Sequence, residues 1–170
     1  MASIRIVLAF AAAQDYEIVC YDVKLAFLNA LLSHEVYCQQ IEGFREKDPN
    51  LVYLTLHAIY GLRQSSRELY TLLWRVLESL GLIVCEVDKA VFYGCFKEPP
   101  HPSVPMPQNG DDLVIFMPVH VNDGLVVTNS LPLYLWVLGE MNKHFKVNDL
   151  GMASLYLGIC ITWDHPNRKL

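Results

Sequence analysis

Residues 113–128, LVIFMPVHVNDGLVVT, set the architecture predicted for this 170-residue chain. The segment is rich in residues that favour β-strands, and Asn122-Asp123-Gly124 interrupts it. An Asp-Gly dipeptide between two such stretches is a strong signal for a tight hairpin. The pattern predicts that residues 113–121 and 125–128 pair as adjacent antiparallel strands, with Asp123 at the turn between them.

A second carboxylate lies at the C-terminal end of another predicted strand. Residues 18–23 have the composition of a buried strand, and Asp22 lies at its end. If that strand neighbours the hairpin, Asp22 and Asp123 converge. Clustered carboxylates repel one another, and a divalent cation such as Mg²⁺ is the usual reason to keep them. Turn chemistry explains Asp123 equally well, since Asp and Asn favour tight turns. The residues alone leave both interpretations open.

Three helices are predicted. The first begins after Ser3, which can cap it. The clearest helix begins with the capping box Ser65-x-x-Glu68 and continues with apolar residues at helical spacing. A third begins at Ser130, with Pro132 in its first turn. We expect the second and third helices to pack against the same core.

Further strands are predicted at residues 36–40, 51–57, 90–96 and 154–163. Residues 98–110 hold five of the nine prolines, which indicates an irregular exposed loop. Neither a linker nor an internal repeat divides the sequence. It therefore predicts an α+β fold in a single domain over residues 1–170, with 98–110 as a loop insertion.

The composition excludes several classes of protein. Of the residues, 53 % are apolar and 18 % are charged, which is incompatible with intrinsic disorder. The net charge of −5 argues against a protein that coats nucleic acid, so any such contact must be local. The five cysteines are widely spaced and contain no C-x-x-C pair. They indicate reduced, buried side chains rather than disulfides or a zinc site.

The N-terminal apolar run at residues 6–13 is much shorter than the roughly 20 residues that span a bilayer as a helix. It imitates a secretory signal, with Arg5 before the run and alanines at its end. A core helix explains the same pattern. We expect an intracellular protein, cytoplasmic or nuclear, without membrane contact.

Five motifs follow one another along the chain. They are YDVKLAFLN at residues 21–29, continued by YCQQIEGF at 37–44, then IYGLRQSSR at 59–67, HVND at 120–123, and DLG at 149–151 with YLGI at 156–159. Their order and content resemble the reverse transcriptases of Ty1/copia-type retrotransposons. The third motif is similar to that family's tyrosine-glycine-leucine-lysine-glutamine motif. The HVND motif stands where the family has tyrosine, valine and two aspartates, and the last resembles its primer-grip hairpin.

The resemblance implies a polymerase palm, an antiparallel sheet backed by two main helices, with two Mg²⁺ ions held by three aspartates. Asp22 matches the ligand to both ions, Asp123 matches the second aspartate of the hairpin, and Asn122 occupies the position of the first. The fingers and thumb of the family are expected to be missing from this chain.

The resemblance also implies contacts with an RNA or DNA primer-template. Gln64 would lie near the template and the incoming nucleotide, and the hairpin at Gly158 would guide the primer. Arg63 and Arg67 are natural phosphate contacts, although arginines on a solvated helix start are an equal alternative. A retroelement polyprotein or self-association is the expected assembly. The residues that match nucleic-acid or nucleotide-binding positions are Lys24, Phe27, Arg63, Gln64, Arg67 and Gly158.

Three residues depart from the family's hairpin. Asn122 supplies an amide in place of a carboxylate, so we expect Mg²⁺ or Mn²⁺ to bind weakly and activity to fall by at least about a hundredfold. His120 replaces the tyrosine and is interpreted as a packed strand side chain. Pro118 lies inside the predicted strand, where it removes a hydrogen-bond donor.

Two functions follow as hypotheses. The first is the RNA-directed DNA polymerase domain of a copia-type retroelement, truncated and catalytically impaired by Asn122. The alternative is a non-catalytic α+β binding or interaction domain derived from a retroelement. An unrelated α+β domain would hold the carboxylates of Asp22 and Asp123 more than about 8 Å apart, too far to share an ion.

Overall fold

The computed structural model describes residues 2–170, which divide into two compact units. The first unit comprises the chain up to Lys24 together with Trp74–Leu170, and the second comprises Leu25–Leu73. Every helix within residues 2–170 is too short or too polar to cross a lipid bilayer. The sequence predicted a single domain over residues 1–170. That statement stays a prediction, because compact units and domains are not the same thing.

Helices and antiparallel strands together confirm the predicted α+β class. In chain order the elements are α1 (Ala2–Gln14), β1 (Glu17–Val23), a 3-10 turn (Ala26–Asn29), β2 (Leu31–Gln39), β3 (Val52–His57), α2 (Ser65–Ser79), β4 (Ile83–Val84), β5 (Val91–Phe96), β6 (Leu113–His120), β7 (Asp123–Thr128), α3 (Leu131–Met141), β8 (Val147–Met152), β9 (Leu155–Tyr156) and β10 (Ile159–Cys160).

The first unit is built on a six-stranded antiparallel sheet in the order β4-β5-β6-β7-β1-β8. Strand β1 therefore lies between β7 and β8, although both follow it by 100 residues or more in sequence. This order places the end of β1 beside the hairpin formed by β6 and β7. The strand that ends at Asp22 thus neighbours the hairpin that carries Asp123, which is the condition for the two carboxylates to converge.

Helix α1 packs on one face of this sheet. Because it is apolar on nearly every side, it must be covered on most of its surface. Its buried residues join alternate residues of β1 and β7 and side chains near the C-terminus. That cluster comprises Val7, Leu8, Ala11, Ile18, Cys20, Leu125, Val127, Tyr156 and Ile161. The N-terminal apolar run is thus part of a core helix. Ser3 lies within that helix instead of capping it, and its hydroxyl donates to Asp88.

Helix α3 packs against β6, β7 and β8. Val126 lies between two β7 residues of the α1 cluster and is fully buried, so alternation along the strand places it on the opposite face. Ser130 caps α3 as predicted, because its Oγ accepts from the N–H of Leu133 at 3.3 Å. Of the two helices predicted to pack on the core, α3 does so against the sheet, and α2 buries Leu69, Leu73, Val76 and Leu77.

The hairpin between β6 and β7 turns two residues earlier than the sequence suggested. Val119 pairs with Gly124 and His120 with Asp123, which leaves Val121 and Asn122 as the two-residue turn. Asp123 and Gly124 are therefore residues of a strand. Val121 has a φ of 59°, a left-handed conformation that is uncommon for a β-branched residue.

The second unit contains the antiparallel ribbon of β2 and β3 and the first half of α2. The predicted capping box is wrong. Ser65 is the first helical residue and its hydroxyl donates to Ile59 O at 2.5 Å, while Glu68 accepts from the hydroxyl of Ser33. Both side chains thus tie the helix start to neighbouring segments of this unit rather than to each other.

Two other local predictions need correction, and a third is confirmed. Residues 154–163 form the short hairpin of β9 and β10 instead of one strand. The proline-rich loop at 98–110 is irregular and mostly exposed as predicted, although Val104 is buried and His101 stacks on Trp136 at 6.4 Å between ring centroids. The five cysteines are free as expected, but Cys20 alone among them is buried.

Candidate active site

Two carboxylates lie side by side at one end of the six-stranded sheet. Asp22, the penultimate residue of β1, is the direct register partner of Asp123, the first residue of β7. Register partners in antiparallel strands project their side chains to the same face, with Cβ atoms about 4.5–5.5 Å apart. The geometry therefore brings together the two acids, and it rules out the interpretation in which they lie far apart.

Asn122 completes this arrangement from the turn. Its Nδ2 donates to Asp22 Oδ1 at 2.8 Å and lies 3.4 Å from Asp123 Oδ1, while its backbone carbonyl accepts from the N–H of Val23 at 2.8 Å. The amide thus directs its hydrogens, and not its oxygen, toward the acids. The amide is therefore a neutral hydrogen-bond donor to Asp22, and it occupies the space that faces both carboxylates.

The electrostatic environment of Asp123 reflects this crowding. Burial raises the pKa of its carboxyl above the usual value, and the charge of Asp22 raises it further. His120, its register partner in β6, acts in the opposite direction on the same pKa. His120 is exposed, so the interpretation as a packed strand side chain is wrong. It contributes positive charge to the site when it is protonated.

A fourth strand, β8, also reaches the site, which the sequence did not indicate. Asp22 pairs with Asn148 of β8 on its other side. Asn148 is half-buried. His120, Asp123, Asp22 and Asn148 consequently form a polar row across β6, β7, β1 and β8. The sequence signal was obscured because residues 148–151 have the composition of a turn, although they belong to β8.

Gly124, which the sequence placed in the turn, allows β7 and β1 to pack closely next to the two acids. Gly124 is the register partner of Tyr21, and a Cβ added to Gly124 would lie 2.0 Å from the ring of Tyr21. Tyr21 is 1 % exposed, and its hydroxyl has no hydrogen-bond partner within the described residues. Only glycine leaves room for this ring, so the packing requires Gly124.

The side chains present supply part of a divalent-cation site. Carboxylate oxygens suit Mg²⁺ and Mn²⁺, and the two acids lie at adjoining strand positions. Within residues 2–170, however, no group of three or more histidine, cysteine, aspartate or glutamate side chains is arranged to hold a metal ion. Asp22 and Asp123 are the residues here that could hold a cation, and the Asn122 amide faces them with its N–H groups.

Two of the residues matched to nucleic-acid contacts also lie in the first unit. Lys24 follows β1 directly, is exposed, and donates its backbone N–H to Lys146 O at 2.9 Å. Gly158 lies with Leu157 in the turn between β9 and β10, where both residues have positive φ values of 80° and 48°. The hairpin predicted around Gly158 is therefore present.

The remaining matched residues belong to the second unit. Phe27 is buried in the 3-10 turn and packs edge-on against Tyr60, with ring centroids 4.7 Å apart. Gln64 immediately precedes α2, and its backbone carbonyl accepts from Glu68 N–H at 3.0 Å. Arg63 and Arg67 are exposed on either side of that helix start. Their exposure is compatible with phosphate contacts and equally with a solvated helix start.

Comparisons with known proteins agree with these motifs. The family described as reverse transcriptase (RNA-dependent DNA polymerase) matches residues 1–170. The chain is 31 % identical, over 171 aligned residues that cover all of it, to the Retrovirus-related Pol polyprotein from transposon TNT 1-94 of Nicotiana tabacum. It is 34 % identical over 158 residues, or 92 % of its length, to the corresponding polyprotein from transposon RE1 of Arabidopsis thaliana. No solved structure matches it significantly.

The chain spans a small part of these relatives, 12 % of the tobacco polyprotein and 10 % of the Arabidopsis one. It covers 41 % of the putative transposon Ty5-1 protein of Saccharomyces cerevisiae, to which it is 28 % identical over 146 residues. The family match over the whole chain and the polyprotein relatives lead to one assignment. The chain belongs to the reverse transcriptase family, as a domain of the kind found in the Pol polyproteins of copia-type retrotransposons.

Proposed function

We propose that this domain is a reverse transcriptase palm whose nucleotidyl-transfer site is impaired by Asn122. The observation that carries the proposal is the hydrogen bond from Asn122 Nδ2 to Asp22 Oδ1 at 2.8 Å. An aspartate in this place would add a third negative charge facing the same space. The amide instead adds no charge and satisfies Asp22 without a cation.

The sheet order supports a palm. Strand β1 ends at one acid and lies directly beside the β6–β7 hairpin that carries the other. The β9–β10 hairpin packs against the same sheet through Tyr156, which belongs to the cluster around α1. A catalytic sheet with a neighbouring hairpin is the arrangement that the primer-grip resemblance implies.

Mg²⁺ or Mn²⁺ is the cofactor proposed for the site, held by Asp22 and Asp123. Such an ion would activate the primer 3′-hydroxyl and neutralise charge on the pyrophosphate leaving group. Asn122 could present its carbonyl oxygen only if the amide rotated, which would break its bond to Asp22. Asp22 therefore has a competing partner, and this competition lowers the affinity for the ion.

The size of the effect follows from the missing charge. A unit charge about 4 Å from a divalent ion contributes on the order of several kcal/mol at an effective dielectric of about 20. Each ~1.4 kcal/mol lost from transition-state stabilisation slows the reaction tenfold. We therefore expect nucleotidyl transfer to be at least about a hundredfold slower than with an aspartate at residue 122.

The partners proposed for the domain are an RNA or DNA primer-template and a retroelement polyprotein. Lys24, Arg63 and Arg67 are the proposed phosphate contacts. Gln64 and Phe27 are proposed to lie along the template and nucleotide side, and the hairpin at Gly158 along the primer. The names of the polyprotein relatives support this context.

Calorimetry with Mn²⁺ at neutral pH tests the proposal. The chains compared are the unmodified protein, Asn122→Asp, and Asn122→Asp combined with Asp22→Asn. Binding should tighten by at least about tenfold in the single variant and return to the unmodified level or below in the double variant. Equally weak binding by all three chains would show that the acids do not form one cation site.

Asn109→Asp is the matched control. Asn109 Nδ2 also donates to a carboxylate, Asp111 Oδ2, at 2.6 Å, but in an exposed loop. Its replacement should leave Mn²⁺ affinity unchanged within about twofold. An equal gain with this variant would attribute the tightening to net charge rather than to the site.

A non-catalytic binding domain is the second candidate, favoured by the same amide, because Asn122 satisfies Asp22 without any metal. Primer extension with Mg²⁺ distinguishes the two. A gain in Asn122→Asp supports an impaired polymerase. Tighter Mn²⁺ binding without any gain in extension supports a domain that retains the site and acts through binding.

A further inference from the structure

The hydrogen-bond ladder between β6 and β7 has a gap beside the candidate site. Phe116 pairs with Val127 and Val119 with Gly124, but no pairing joins the strands at Met117 and Pro118. The N–H of Val119 donates to Ala90 O on the β5 side at 2.8 Å. Because backbone groups alternate along a strand, the nitrogen of Pro118 faces β7. Proline therefore removes a donor from the ladder that holds the metal-binding hairpin together.

A tyrosine hydroxyl occupies this gap. Tyr156 Oη lies 3.3 Å from Pro118 O in β6 and 3.3 Å from Asp123 O in β7, and it donates to these carbonyls. Leu125 is the residue that lies opposite Pro118 in this register. One hydroxyl thus bridges the two strands where the direct ladder bond is missing.

The bridge is buried and comes from a separate hairpin. Tyr156 is the last residue of β9 and is 4 % exposed. Two backbone carbonyls, of Pro118 and Asp123, would each lose a partner without its hydroxyl. Buried backbone groups left unpaired are costly, so this contact orders the hairpin.

We infer that Tyr156 is a positioning residue, whose hydroxyl bridges β6 and β7 where Pro118 leaves the ladder open and holds Asp123 opposite Asp22. The inference concerns the same site as the proposed function. It rests on that proposal only where Mn²⁺ affinity is measured, because the exchange measurements need no metal. Tyr156 also belongs to the β9–β10 hairpin, so it links that hairpin to the backbone of Asp123.

Amide hydrogen exchange of the full chain tests the bridge without any metal. In Tyr156→Phe the strands should separate more readily at the gap, so the amide of Leu125, which lies opposite Pro118 there, should exchange about five- to tenfold faster, while amides of α3 remain unchanged. Tyr134→Phe is the matched control, because it removes another buried tyrosine hydroxyl, bonded to Asp149 at 2.7 Å. That variant should leave Leu125 unaffected.

Restoring the backbone donor should make the hydroxyl dispensable. In Pro118→Val the strand regains an N–H that can bond directly to β7. Adding Tyr156→Phe to this variant should then change Leu125 exchange by less than about twofold. Mn²⁺ affinity should follow the same pattern, weakening at least about threefold in Tyr156→Phe and recovering in the double variant.

Unchanged Leu125 exchange in Tyr156→Phe, or the absence of rescue by Pro118→Val, would overturn the inference. If Tyr156→Phe alone fails to fold, the double variant Pro118→Val with Tyr156→Phe decides the question. A folded double variant supports the bridge, and an unfolded one counts against it. Asp22→Asn separates this inference from the proposed function. If Mn²⁺ binding of the unmodified chain is insensitive to Asp22→Asn, the cation site fails, while the exchange results still decide the role of Tyr156.

Discussion

Asn122 Nδ2 donates a hydrogen bond to Asp22 Oδ1 at 2.8 Å, across a separation of 100 residues in sequence. The bond joins the turn of the β6–β7 hairpin to the end of β1. It gives the acid pair a neutral donor at the position where the family resemblance implies a third acid. The first prediction below follows from this amide donor in place of a carboxylate acceptor.

Replacing Asn122 with aspartate should destabilise the metal-free protein. The change removes the donor to Asp22 and places a third negative charge beside two others. We expect the free energy of unfolding at pH 7 to fall by about 1–3 kcal/mol. Urea unfolding measures this loss, and millimolar Mn²⁺ should reverse it. Asn109→Asp in the exposed loop should change stability by less than about 0.5 kcal/mol, and an equal loss there would contradict the explanation.

Replacing Asp123 with asparagine should stabilise the metal-free protein in a pH-dependent manner. Burial and the charge of Asp22 raise the pKa of Asp123 above its usual 3.8, so the folded state takes up a proton before the unfolded state does as pH falls. The unmodified protein therefore gains stability as pH decreases through the raised pKa toward 3.8. Asp123→Asn should be more stable at pH 7, and its advantage should disappear at low pH.

Urea unfolding of both chains at a series of pH values measures that difference. Glu98→Gln, which removes an exposed carboxylate from the proline-rich loop, is the control and should show no comparable trend. A constant difference between Asp123→Asn and the unmodified chain across the whole range would contradict the predicted linkage.

Gly124→Ala should disrupt the packing of β1 against β7. The added Cβ would lie 2.0 Å from the Tyr21 ring, which is fully buried and cannot move aside. We expect a loss of at least about 3 kcal/mol in the free energy of unfolding. Gly139→Ala in α3 is the control. No atom lies within 4 Å of its added Cβ, and a helical alanine should raise stability by about 0.5–1 kcal/mol. Similar effects at the two glycines would refute the steric explanation.

Val121→Asn should relieve backbone strain in the turn. Val121 has a φ of 59° and is 40 % exposed, so its side chain gains little from burial while its branched Cβ disfavours the left-handed region. Asparagine tolerates that region, and stability should rise by about 0.5–1 kcal/mol in thermal unfolding. Val119→Asn, at a half-buried strand position, should lower stability instead. A loss of stability in Val121→Asn would mean that the turn does not store this strain.

The turn itself illustrates a limit of local sequence signals. Asp123-Gly124 is a strong turn dipeptide, yet the turn is at Val121 and Asn122. Gly124 is needed inside the strand because Tyr21 approaches it closely from β1. The competing requirement comes from a residue far away in sequence, so no local pattern could reveal it.

Residues 148–151 illustrate the same limit in the opposite direction. Their polar and glycine residues are typical of a turn, but β8 pairs with β1 along this stretch, with a register shift between Cys20 and Tyr21. Backbone hydrogen bonds to a central strand override a weak local preference. Asn148 is brought beside Asp22 for this reason.

The sequence by itself determined the local elements and the chemical inventory of the site. Strand-forming residues ending at Asp22, the cap at Ser130 and the order of the five motifs are local features, governed by side-chain shape and backbone preference. The tertiary structure alone decided that the Asn122 amide faces Asp22 and that Tyr156 bridges Pro118 and Asp123. These contacts depend on strand order and register, which are set by long-range packing and by the need to pair every buried polar group.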